Sequence, residues 1–189
     1  MSNKRGILVL YTGCSGVGKG TIMKQLLQRD DSLRLSVSNT TRDPRSGEID
    51  GVHYNFVSRE EFLAMADADG YIEHAEYCGN LYGTPKQQVE DLLDQGYNVF
   101  LEIEVKGGLQ VMKKFPGVLS IFILPPSLEE LERRLRGRGT EEESVIRARL
   151  EQAKEELQYK DKYQYRVVND RLEQAVGEVL DIVNQHKNS

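Results

Sequence analysis

Cysteine is scarce in this sequence. Two thiols among 189 residues, Cys14 and Cys78, are too few for a disulfide framework and lack metal-ligand spacing, so the expected setting is reduced and cytoplasmic. Histidine is as sparse, and His53, His74 and His186 are too scattered for a zinc pattern. Positive charge is not in excess. The 25 Lys and Arg stand against 30 Asp and Glu, a net charge of -5. That balance disfavours binding to nucleic acid through bulk charge and requires any anion site to be local. No apolar run approaches the roughly 20 residues that span a bilayer; the longest are Ile7 to Tyr11 and Leu119 to Leu124. Met1 to Arg5 leads into a short strand-like segment, without the apolar region and cleavage site of a signal peptide. The expectation is a soluble chain with no membrane or protein partner. A hydrophobic content of 39% and a charged content of 29% suit one globular domain with small inserted lobes, and exclude disorder, collagen and coiled coil.

What is present is an alternation of buried-type strands and helices. Gly6 to Tyr11 is a continuous apolar run too short for a helix, as a strand buried on both faces requires. A glycine-dense turn follows, and from Thr21 onward Ile22, Leu26 and Leu27 recur at helical spacing. Asn98 to Ile103 and Leu119 to Leu124 are further strand candidates, each followed by a helix-like segment, and Tyr165 to Val168 is a last one. The alternation predicts an α/β fold with a parallel sheet. Ser58 with Glu61, Thr84 with Gln87, Ser127 with Glu130 and Thr140 with Glu143 have capping-box spacing, with Pro85 just inside the second. Ile146, Leu150, Ala153 and Leu157 make one helical stripe, and Leu172, Val176, Leu180 and Val183 another. Residues 36–84 break the alternation with short strand pieces, turn glycines and several tyrosines, and read as an inserted lobe of mixed sheet. The expected division is a core of 6–35, 85–126 and 160–186, the lobe, and a helical region of about 127–159.

Between the first strand and first helix lies Gly13-Cys14-Ser15-Gly16-Val17-Gly18-Lys19-Gly20-Thr21. In that context the glycines read as a phosphate-binding loop rather than a plain turn. They let successive backbone N–H groups converge on an anion, the helix amino end adds partial positive charge, and Lys19 reaches the outer phosphates. The usual pattern places Ser or Thr directly after the lysine to touch magnesium. Here Gly20 intervenes and the hydroxyl comes at Thr21, an ending similar to that of nucleoside monophosphate kinases. Further on, Arg42 and Arg45 flank Pro44, followed by Gly47-Glu48 and Tyr54. Two guanidinium forks and a phenol suit a dianionic phosphate, although alone such a group is more often a solvated loop.

Taken with these, the segments Ser36 to Arg45, Asp50 to Tyr54, Phe56, Glu73, Gly79 to Thr84, Phe100 to Glu104, Leu124 to Ser127, Gly137 to Thr140 and Val168 to Asp170 make the chain resemble guanylate kinases over nearly its whole length. The resemblance implies a P-loop nucleoside monophosphate kinase fold with a GMP-binding lobe and a helical lid. It also implies transfer of the terminal phosphoryl of ATP to GMP, with dGMP a further acceptor, giving ADP and GDP with Mg2+. By that resemblance Arg42, Arg45, Tyr54 and Tyr82 hold the GMP phosphate, and Glu73 accepts from the guanine ring NH and amino group. Adenine presents an acceptor there and would leave the carboxylate unpaired. Ser38 and Thr84 donate to the guanine carbonyl oxygen, and Glu104 lies near the base or ribose. Glu102 lies near the metal and Lys19, so Thr21 and Glu102 are the metal-side candidates, directly or through water. Family members often carry Asp at both acidic positions, Gln at Lys106, Tyr at Leu81 and Pro at Cys14; none of these departures removes a charge the chemistry needs.

The run Arg133-Arg134-Leu135-Arg136-Gly137-Arg138, with Arg149 beyond it, is flanked by acids, which argues against a nucleic-acid patch. The resemblance assigns Arg134, Arg138 and Arg149 to a lid that closes over ATP, where guanidiniums stabilise the transferring phosphoryl. Arg133 and Arg136 read as solvated helix positions. Asn169 is expected beside the adenine. Two alternatives use the same fold: a binding module that grips a protein, against which the intact Lys19 loop argues, and a kinase for another phosphorylated small molecule, against which Glu73 with Thr84 argues.

Overall fold

The computed structural model describes residues 4–77, 79–137 and 142–187. Cys78, Arg138 and the proposed cap Thr140 therefore lie outside the described residues. In chain order the elements are β1 (Leu8–Gly13), α1 (Lys19–Arg29), β2 (Leu33–Leu35), β3 (Asn39–Thr40), β4 (Asn55–Phe56), α2 (Arg59–Asp67), β5 (Tyr71–Tyr77) and β6 (Asn80–Pro85). They continue with α3 (Lys86–Asp94), β7 (Asn98–Glu102), α4 (Val105–Lys114), β8 (Leu119–Leu124), α5 (Leu128–Gly137), α6 (Glu143–Leu157), a single 3-10 turn at Lys160–Lys162, β9 (Tyr165–Val168) and α7 (Leu172–Lys187).

The main sheet is parallel throughout, in the order β2-β7-β1-β8-β9. Its central strand explains the apolar run: Val9, Leu10 and Tyr11 are fully buried, because helices cover both faces. On one face α1 and α7 contribute Ile22, Met23, Leu26, Val176, Val179 and Val183 to a single apolar cluster. On the other, Val89 and Leu93 of α3 and Val105 and Val111 of α4 pack on Leu10, Leu101 and Phe122.

Two expectations are corrected here, and one strand was not anticipated. The first strand runs to Gly13 rather than stopping at Tyr11, because pairing with β8 continues through Thr12↔Phe122 and Gly13↔Ile123. Leu33–Leu35 is a strand that periodicity did not reveal; three residues carry too little pattern, and its place is fixed by pairing with β7. The Thr84–Gln87 capping box does not form: Pro85 occupies the N-cap of α3 and Thr84 remains in β6. By contrast Ser58 and Glu61 form the reciprocal box at α2, and Ser127 Oγ accepts from the Glu130 amide at 3.1 Å. Helix α6 starts at Glu143, with Glu142 at its N-cap.

A second sheet, β4-β3-β6-β5, is mixed, with β3 and β4 parallel and the other pairs antiparallel. It is built from residues 39–85 and has its own small core of Phe62, Tyr71 and Leu81. Among the described residues no helix is long and apolar enough to cross a membrane.

Candidate active site

Parallel strands all present their carboxyl ends to one edge, and in an open α/β sheet that edge is where ligands bind. The loop from Gly13 to Lys19 leaves β1 there and enters α1. Gly16 and Gly18 have φ of 83° and 96°, which L side chains rarely adopt. A Cβ on Gly18 would also stand 2.7 Å from Asn169 Nδ2. Helix α1 begins without a side-chain cap or an acid in its first turn, so its free amides and dipole are left for an anion. Lys19 Nζ meanwhile donates to the carbonyls of Gly13 at 2.6 Å and Cys14 at 3.3 Å. Cys14 is fully buried; burial pushes its thiol up to about 11, which makes it a packing group rather than a nucleophile.

Beside the loop is a cleft of about 290 Å3, lined by Val17, Thr21, Arg134, Asn169 and Leu172 among others. Asn169, buried at the end of β9, donates from Nδ2 to Val17 O at 2.8 Å, and its own carbonyl accepts from Arg134 Nη1 at 2.8 Å. Arg134 Nε bonds Glu130 at 2.8 Å, and Arg133 and Arg134 together pull the Glu130 carboxyl down to about 2. The structure thus brings Arg134 and Asn169 to the phosphate loop. Arg149 lies on α6 and is half-buried.

Sequence reasoning missed Glu156. From α6, its Oε2 accepts the Ser15 amide at 3.2 Å, while Oε1 accepts from Gln152 at 2.9 Å. Its one sequence signal, a polar position next to the apolar stripe of α6, is shared by most surface helix residues.

Glu102 closes β7, half-buried, opposite Tyr11. Burial raises its carboxyl, with Lys19 acting against the rise. Glu104 has left the strand and stands at the N-cap of α4. Its carboxyl is raised by desolvation and then by Glu156, with Lys19 and Lys106 opposing. Among the described residues no group of three or more His, Cys, Asp or Glu converges as a metal site.

In the mixed-sheet lobe, Glu73 on β5 is 6% exposed and Thr84 on β6 fully buried. Thr84 Oγ1 donates to Glu73 Oε1 at 2.7 Å. Burial raises the Glu73 carboxyl against this bond and the charge of Lys114. The other oxygen faces Gly107, where an added Cβ would stand 2.8 Å away, so only glycine leaves α4 this close to the carboxylate. A hydroxyl has one hydrogen; for Thr84 to donate to a carbonyl on a ligand, its bond to Glu73 must open. Ser38, half-buried before β3, accepts the Asn55 amide on its carbonyl at 2.9 Å. Tyr54 and Tyr82 meet edge to face at 5.9 Å, and the Arg42 guanidinium lies 5.6 Å from the Tyr54 ring. Arg45 is exposed at the same loop. The lobe therefore unites Arg42, Tyr54 and Tyr82 in one cluster and Glu73 with Thr84 in another.

The sequence matches the family profile described as guanylate kinase over residues 4–186. The chain belongs to the guanylate kinase family. It is 49% identical to a guanylate kinase of Clostridium perfringens (strain SM101 / Type A), over 98% of this chain and 86% of that protein. To one from Synechococcus sp. (strain JA-3-3Ab) it is 54% identical, over 93% and 81% respectively. The crystal structure of guanylate kinase from Anaplasma phagocytophilum superposes with a TM-score of 0.79 at 35% identity, covering 100% of this chain and 90% of that one. Guanylate kinase family membership thus joins a parallel core with a phosphate loop to a separate mixed sheet holding a buried carboxylate.

Proposed function

We propose that this kinase transfers the terminal phosphoryl of ATP to GMP, and also to dGMP, giving ADP and GDP. The observation that carries the reading is the buried Glu73–Thr84 pair, because a desolvated carboxylate is retained only where a partner compensates it. Guanine presents two adjacent donors to such a group and adenine does not. In this reading the core (6–35, 85–126 and 160–186) holds ATP on residues Gly13 to Thr21 with Asn169 at the base. The lobe (36–84) holds GMP through Ser38, Arg42, Arg45, Tyr54, Glu73, Tyr82 and Thr84, with Glu104 contributed by the core. The region of about 127–159 is the lid that brings Arg134, Arg138 and Arg149 to the reacting phosphates.

Phosphoryl transfer asks for in-line positioning and charge neutralisation rather than a side-chain nucleophile. An oxygen of the GMP phosphate attacks the terminal phosphorus of ATP directly. Lys19 leaves its loop carbonyls to meet the outer phosphates, the loop amides hold the phosphate that leaves with ADP, and the lid arginines take up charge on the moving group. Closure of lid and lobe excludes water, the competing acceptor. The donor set fits Mg2+: it is all oxygen and holds too few acids for a cage, as suits an ion that keeps its waters and leans on substrate phosphates. Thr21 and Glu102 would hold it, directly or through water. When bound it supplies charge neutralisation at the phosphates. The same reading puts the protein in the cytoplasm with two small-molecule partners, ATP and GMP.

A coupled assay of ATP with GMP, dGMP, AMP, UMP and dTMP tests the proposal. Turnover is expected with GMP and dGMP alone; equal turnover with AMP overturns the guanine reading while leaving the ATP site standing.

A further inference from the structure

Glu48 has no part in the chemistry above, yet it organises the loop that carries both acceptor-side arginines. Its two carboxylate oxygens each accept from Arg42 Nη2 at 2.9 Å, and Oε2 also accepts the Arg45 amide at 2.7 Å. The Glu48 amide returns a bond to the Arg45 carbonyl at 3.0 Å, closing a turn in which Gly47 has a φ of 85°. One carboxylate thus ties the guanidinium of the first arginine to the backbone of the second. The side chains of Arg42 and Glu48 are only 14% and 19% exposed, although residues 43–47 between them are exposed. Arg42 Nη1 is held in turn by Asp43 O at 2.6 Å.

Two opposing effects bear on a phosphate approaching this loop. A nearby carboxylate repels it. The same carboxylate fixes the rotamer-rich Arg42 side chain and the backbone from which Arg45 projects before the ligand arrives, an ordering cost otherwise met at binding. The repulsion is the weaker effect, because both Glu48 oxygens are directed at Arg42 and Arg45 N–H groups, which offset the carboxylate charge. The low exposure of both side chains and three hydrogen bonds on one carboxylate mark the ordering as the stronger. Resting on the reading that Arg42 and Arg45 receive the acceptor phosphate, we infer that Glu48 is the positioning residue that preorganises them, acting on the phosphate and not on the base.

Binding of GMP and of guanosine to wild type, E48A and E48Q, measured by calorimetry, separates phosphate from base. GMP affinity is expected to fall about tenfold or more in E48A and by less in E48Q, which keeps one carbonyl acceptor, while guanosine affinity stays within twofold. In an R42A background, E48A should add little to the loss, since contacts within one network are not additive. The inference is overturned if GMP binds the variants as well as or better than wild type, which would make repulsion the ruling effect. It is also overturned if guanosine affinity falls in step with GMP, which would make Glu48 a general support of the lobe. Wild-type turnover in the acceptor panel is read separately: its absence overturns the proposed activity, while the GMP and guanosine affinities still decide the role of Glu48.

Discussion

Lys19 donates its ammonium to two carbonyls of its own loop, so in the proposed reading its charge is held in reserve beside the loop amides. Lys19→Ala should lower kcat by roughly 10²- to 10³-fold, the scale of losing one preorganised charge contact to a reacting group, with an unchanged thermal midpoint; near-normal turnover in the purified variant would sink the assignment. Glu73 makes a two-sided forecast. Its carboxyl is raised by burial, so the folded state favours the protonated form, and above the raised value the ionised group costs stability. That cost is absent below the ordinary value near 4.5 and grows as pH rises through the raised one. Glu73→Gln should therefore gain stability at pH 7, read as a rise in Tm, a gain that fades as the pH is lowered. The same change should cost about 10- to 150-fold in GMP affinity, the loss of a charge-assisted bond worth about 1.5–3 kcal/mol. Melting curves across pH and GMP titration read the two effects separately; a destabilised variant with intact GMP binding would contradict both. Replacing Arg42 or Arg45 by Ala should weaken GMP far more than ATP, and titrations showing the reverse would mean the two sites are exchanged.

At the scale of elements, legibility followed how local the determining physics is. The phosphate loop was readable because strand, glycines, lysine and helix are contiguous. Ser58 was readable because a capping box spans four residues, and Ser58→Ala should cost about 1 kcal/mol in chemical denaturation. Thr84 has the same spacing but is claimed by Glu73 from the neighbouring strand, a competitor that no local pattern displays. The three residues of β2 become a strand only because β7 lies beside them. Glu156 reaches Ser15 across 141 positions of sequence, and nothing near either residue advertises the pair. The assignment of Glu73 and the arginines to an acceptor came through family resemblance, since their clustering depends on the mixed sheet. Helix α5 delivers Arg134 to the Asn169 carbonyl, next to the loop. If the proposed lid closes over the nucleotide, Arg134→Ala should reduce kcat by roughly 10- to 100-fold and more than it weakens either substrate alone, since such contacts complete only on closure; single-turnover kinetics against binding titrations decide this.

For the whole molecule, the order of strands in the main sheet bears on how the protein comes into being. The first strand of the chain sits in the middle of that sheet, flanked by β7 and β8. Its nearer neighbour is already remote: Ile7, just before β1, donates its amide to the Asn98 side chain at the start of β7, 91 positions away. In the lobe, by contrast, the paired strands β5 and β6 are separated by only two residues of sequence, between Tyr77 and Asn80. Loop closure over long separations makes non-local parallel pairing slow. During synthesis from the amino terminus, β1 waits with both edges unpaired until the whole lobe and β7 have emerged, and gains its second neighbour only when β8 follows. Pulsed hydrogen exchange during refolding should protect the β5 and β6 amides before those of β1. A nascent chain stopped short of β8 should then be the species most in need of a chaperone, with the mixed sheet formed and the main sheet still open.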